Sequence, residues 1–140
     1  MFPFTYTFER EIINDKTSEN VIYTAREILR EKKIKNILYG PGFVSFNEGF
    51  LKERSNWDYL SLINDGKFTY NEKSKVLTYK VKLWKFNLFA LAFLIITLIY
   101  FEGLFGKLLP LFGLIANHLF CYFGSQGLIK EITHEINYLS

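Results

Sequence analysis

His118 and Cys121 stand three residues apart, a spacing that puts two soft metal ligands on one side of a helix. Two ligands do not close a tetrahedral site, and the other histidine, His134, reads as a surface residue. Cys121 is the single cysteine, so it forms no intramolecular disulfide and reads as a small buried hydrophobe. The Gly40-Pro41-Gly42 turn offers backbone amides to an anion, yet Pro41 has no N–H, and hairpin geometry accounts for the three residues better. No phosphate-binding loop, dinucleotide glycine pattern, serine elbow or metal-spaced Cys/His set occurs. The reading is therefore non-enzymatic: no catalytic residues, no metal and no cofactor.

The remaining chemically suspect residues are polar groups inside apolar runs. Asn87 and Thr97 interrupt the run Phe86 to Phe101; Asn117 and His118 interrupt Leu104 to Phe123. Extended back to Leu83, the first run has 19 residues, which as a helix covers roughly 28 Å, near the hydrocarbon thickness of a bilayer. The second has 20 residues, including Lys107, Pro110 and His118. Glu102 and Gly103 leave room between them only for a tight turn. The sequence thus predicts a transmembrane helical hairpin over residues 84–124. Asn87, Ala90 and Thr97 would line one side of its seam and Gly106, Gly113, Asn117 and Gly124 the other, since helices in lipid associate through small residues and a few hydrogen bonds. Asn87 paired with Asn117 or His118 is the expected intramembrane polar site, worth about 0.6 kcal/mol as a typical hydrogen bond of this kind.

Charge sets the expected orientation. All Lys and Arg residues except Lys107 and Lys130 precede Phe86. Lys80, Lys82, Trp84 and Lys85 would meet anionic headgroups, and the lysine-rich side would stay cytoplasmic, which predicts an integral protein of the cytoplasmic (inner) membrane with both termini cytoplasmic. The first 85 residues carry 15 basic and 11 acidic side chains. This modest excess suits lipid better than nucleic acid, so no nucleic-acid partner is expected.

Residues 1–83 read as a small α+β domain with a mostly antiparallel sheet and one or two helices. Phe4, Tyr6 and Phe8 alternate with polar residues as in a half-buried strand. Val21, Ile22, Ala25, Ile28 and Leu29 mark one helical face. Ile34–Tyr39 and Phe43–Phe46 flank the glycine turn as strands, Phe50–Ile63 is ambiguous with a short helix expected around Trp57–Leu60, and Asn64-Asp65-Gly66 reads as a turn. Lys67–Tyr70 and Val76–Leu83 form a last hairpin, with Leu77, Tyr79, Val81 and Leu83 inward. Gly124-Ser125-Gln126-Gly127 is read as a break before a short amphipathic tail, residues 125–140, that is interfacial or docking.

The leading expectation is an accessory or scaffolding subunit of a larger membrane assembly with a cytoplasmic docking domain. A self-associating membrane protein or small pore is the alternative, and a lipid-acting enzyme the remote one.

Overall fold

The computed structural model describes residues 4–47 and 58–139. Five strands, β1 (Thr5–Glu11), β2 (Ile37–Gly40), β3 (Phe43–Asn47), β4 (Asp65–Asn71) and β5 (Val76–Lys82), form one antiparallel sheet in the order β1-β5-β4-β3-β2. Among the described residues it is accompanied by the helices α1 (Ser18–Glu31), α2 (Trp84–Tyr100) and α3 (Leu104–Tyr138). The protein is α+β. Trp57 lies outside the described residues; beside it a single 3-10 turn spans Tyr59–Leu62, capped by the Asp58 carboxylate, which accepts from the Leu60 N–H at 3.0 Å.

Alternation decides which face of the sheet is covered. Tyr6, Phe8, Phe68, Tyr70, Leu77, Tyr79 and Val81 are buried on one face, and Thr7, Lys67, Lys80 and Lys82 stand on the other. Across β4 and β5, Phe68 opposes Tyr79 and their rings stack at 4.0 Å. Gly66 has no side chain because the Phe46 ring occupies that space, 2.2 Å from where a Cβ would stand.

The buried face of α1 is Val21, Ile22, Ala25, Ile28 and Leu29. Thr17 caps its start, and its end is a Schellman motif, with the Ile34 N–H on the Leu29 carbonyl and the Lys33 N–H on the Arg30 carbonyl. Lys33 occupies the left-handed position, at φ 59°.

Three sequence expectations are corrected. The first concerns Gly124–Gly127, where no break occurs: α3 runs unbroken through residues 125–138. Each helical glycine costs about 1 kcal/mol relative to alanine. Against that, Ser125, Leu128, Ile129, Ile132 and Ile136 are all buried in the core of the domain. The supposed tail is therefore the second half of α3, laid along β1, β5 and α1. Lys32 pairs with Glu131 at 2.8 Å, and Asn137 accepts from the Ile13 N–H at 3.0 Å.

The second correction concerns the hairpin. Among the described residues one helix, α3, is long and apolar enough to cross a membrane, whereas α2, at 17 residues, is a shorter apolar helix. Two full spans are not given. Because α3 from Cys121 onward belongs to the domain core, its free apolar part matches α2 in length. Third, Asn64-Asp65-Gly66 is not a turn: Asp65 and Gly66 open β4, and Asn64 is a helix cap, its side-chain oxygen accepting the Lys85 N–H at 2.9 Å. A smaller departure is Phe4, which lies just before β1 and is half exposed.

Candidate functional site

The polar residues of the apolar helices meet the sheet at one point. In the first turn of α2, the Asn87 side-chain amide donates to the Leu83 carbonyl at 3.1 Å, and this fixes which way the amide faces. Its oxygen then points across to α3 and lies 2.7 Å from Nε2 of His118. An amide oxygen only accepts, so Nε2 carries the proton and Nδ1 of a neutral ring is left as an acceptor. The Tyr6 hydroxyl, on β1, donates to that Nδ1. Burial, with the Cys121 thiol adding to it, pushes the Tyr6 hydroxyl up to about 12, so it remains a donor at neutral pH.

Aromatic rings surround this chain of bonds. Phe86 meets His118 edge-on at 5.5 Å, and Tyr122 packs against Tyr6 at 5.6 Å and Phe8 at 5.1 Å. One strand and two helices are thereby held by a single imidazole. The bonds run on from the Asn87 amide to the Leu83 carbonyl. The arrangement ties the two helices to the first strand as a clasp.

The structure joins Asn87 to His118 and leaves Asn117 exposed on the flank. The seam differs from the spacing read in the sequence. On α2, Asn87 and Thr97 are buried and Ala90 is half-buried between them; Thr97 bonds back to the Leu94 carbonyl at 2.8 Å. On α3, the covered stripe is Lys107, Pro110, Leu114, His118, Cys121 and Ser125. Gly113 faces open space. Gly106 packs on the Phe101 ring at the turn, and Gly124 receives the Tyr59 ring and does not face α2.

The reason is helical phase. Ile136, Ile132 and Ile129 seat the far half of α3 on the sheet, and steps of three and four residues backward lead to Ser125, Cys121, His118 and Leu114. A break at Gly124–Gly127 would have uncoupled the two halves; an unbroken helix carries the phase through.

Below the clasp, Cys121 and Ser125 face the fully buried Tyr79, whose hydroxyl makes no hydrogen bond of good geometry. Trp84 and Lys85 stand at the start of α2, with the ammonium 5.5 Å from the indole centroid. Lys82 and Lys80 lie on the open face of the sheet, opposite Asp65 and Lys67 in β4. Among the described residues no group of three or more His, Cys, Asp or Glu is placed to hold a metal. Tyr6 is the member of the site that sequence reasoning missed, because its alternation marked it only as a core residue.

Comparison with protein-family models, with curated proteins and with solved structures gave no match.

Proposed function

We propose that this chain is a small membrane-anchored accessory or scaffolding subunit, its α+β domain held at fixed height and tilt to dock a partner beside the bilayer. The observation that carries this reading is the exposed apolar belt of α2 and the first half of α3. Leu88, Phe89, Phe93, Ile96 and Ile99 on α2, with Phe105, Leu109, Phe112 and Ile115 on α3, all stand about half exposed or more. A continuous surface of this kind requires lipid or protein cover. The belt is joined to the domain without a linker, through Leu83 on one side and the unbroken α3 on the other.

Length favours assembly over a solitary anchor. Seventeen residues of α2 cover roughly 26 Å, short of a hydrocarbon core of about 30 Å. A helix pair this short thins the bilayer locally or packs within a larger protein, and both relieve the mismatch. With the lysine-rich end of the domain on the cytoplasmic side, both termini are cytoplasmic, and Trp84, Lys85 and Lys82 lie at headgroup level.

The test is the mass and composition of the complex released gently from native membranes. Stoichiometric companion polypeptides are the expected result. A ring of copies of this chain would replace the reading with self-association, and a lone monomer would defeat both.

A further inference from the structure

β2 is an edge strand, and its pairing fixes which backbone groups face outward. The Asn47 N–H donates to the Asn36 carbonyl at 3.2 Å. In an antiparallel ladder every second pair is then hydrogen-bonded, which gives Leu38 with Ser45 and Gly40 with Phe43. Ile37 and Tyr39 therefore aim their N–H and C=O groups away from β3. Among the described residues no strand pairs with that edge.

α1 runs back beside this edge, since the turn after β2 meets its start, where Gly42 approaches Ser18. A cleft of about 1080 Å³ opens beside the first half of the helix, between Thr17–Arg26, the end of β2 with its turn at Tyr39–Gly42, and Tyr70–Lys73. Tyr23 and Tyr39, each more than half exposed, stand on either side of the Arg26 guanidinium, 5.0 and 4.6 Å from it. Glu27 holds that guanidinium at 3.0 Å. Two tyrosines and a fixed arginine beside unpaired strand groups match the residue types that dominate protein-recognition energetics. Charge changes along the edge. Glu19, Glu72 and Lys73 line the cleft near Ser18; beyond the cleft, exposed Arg30, Lys33 and Lys35 follow from the end of α1 toward the start of β2, with Arg30 also bonded to Glu27 at 3.1 Å.

We propose that β2 accepts an extended, acidic segment of a partner protein as an added strand, seated between β2 and α1 with its carboxylates at the basic end. This deepens the docking role proposed above and names its surface. A second copy of the chain does not fit there. β1 follows α3 from Tyr6 at His118 to Ile13 at Asn137, so the strands run along the axis of that helix. Antiparallel pairing of two β2 edges needs a twofold axis across the strands, which would point the two α3 helices in opposite directions through the membrane.

The experiment pans a random peptide display library on the full chain in lipid nanodiscs, then measures Kd and amide shifts with the enriched peptide. Enriched sequences are expected to alternate apolar residues, carry Asp or Glu, and shift the Ile37 and Tyr39 amides. Tyr39→Thr loses the ring and keeps the outward N–H; Tyr39→Pro loses both without touching the β3 ladder and should bind at least about tenfold more weakly than Tyr39→Thr. Arg26→Glu should weaken binding by about tenfold. Failure to enrich any peptide, enrichment of basic sequences, or equal affinities for Tyr39→Pro and Tyr39→Thr would overturn the proposal. So would slow exchange of the Ile37 and Tyr39 amides in the chain alone, which would mean that the chain covers its own edge. Because only the purified chain is used, the result stands or falls separately from the composition of the native complex.

Discussion

Tyr6 and His118, 112 positions apart in the chain, share a hydrogen bond that ties the first strand to the middle of the last helix. The same ring reaches Asn87 through its other nitrogen at 2.7 Å. Replacing the ring nitrogens while keeping a ring, as in His118→Phe, removes one hydrogen bond from the Tyr6 hydroxyl and one from the Asn87 oxygen in a half-buried site. The expected cost is about 2 kcal/mol, against roughly 1 kcal/mol for Tyr6→Phe, and the double variant should cost less than the sum of the two. Denaturation of the full chain in detergent micelles measures all three. Strict additivity would show that the clasp does not act as a unit.

The phase of α3 makes opposite forecasts for two glycines. Gly113 faces open space, so Gly113→Ala should be neutral or gain up to about 1 kcal/mol in helix propensity. A Cβ at Gly124 would stand 2.3 Å from the Tyr59 ring, so Gly124→Ala should lose about 1–3 kcal/mol. Thermal melts of both variants in one detergent decide the matter. A loss at Gly113 as large as that at Gly124 would restore the seam read from small-residue spacing, which contains both.

The strands, α1 and the inward face of β5 were legible because apolar alternation and helical spacing are local signals that burial enforces. Leu77, Tyr79, Val81 and Leu83 are all buried, as their alternation implies. The seam was not legible. Its register depends on whether Gly124 and Gly127 end a helix, and that depends on Leu128, Ile129 and Ile132 finding a sheet to cover. Tyr6 illustrates the same limit, since alternation identifies an inward residue but not the imidazole 112 positions away that its hydroxyl meets. Asn64 is a third case: its residue type marks a turn locally, while the Lys85 N–H that its side chain serves lies 21 positions away.

Tyr79 is the one residue among those described with a buried side-chain polar atom lacking a hydrogen bond, and burial holds its hydroxyl well above the usual tyrosine range. Its ring is stacked on Phe68. Tyr79→Phe keeps the stack and removes an unsatisfied group, so stability should be unchanged or rise by about 1 kcal/mol. A loss of that size in a denaturant titration would instead assign the hydroxyl a working partner, with Ser125 the nearest choice.

Lys33 holds the left-handed position that ends α1, at φ 59°. A side chain there carries a steric cost that glycine escapes. Lys33→Gly should stabilise the domain by about 1 kcal/mol, read as a higher melting temperature. No gain would mean that the lysine side chain makes compensating contacts.

Lys75 and Asp15 meet at 2.5 Å, where the turn after β4 faces the segment between β1 and α1. The hydrogen bond from Lys75, with its charge, lowers the Asp15 carboxyl below the ordinary 3.8, and the same bond raises the Lys75 ammonium above the ordinary 10.5. A lowered carboxyl contributes stability that is present above its unfolded value and lost as pH falls through the folded one. A raised ammonium contributes stability that is present below its unfolded value and lost as pH rises through the folded one. The pair should therefore stabilise the domain evenly from about pH 4 to about pH 10 and fail at both extremes. Melting temperature against pH for the native chain and for Asp15→Asn should run parallel across that plateau, offset by a small amount because the pair is exposed. The two curves should converge in acid, where both chains lack the charge. Curves that stay parallel below pH 3 would mean that Asp15 acts through packing and not through its charge.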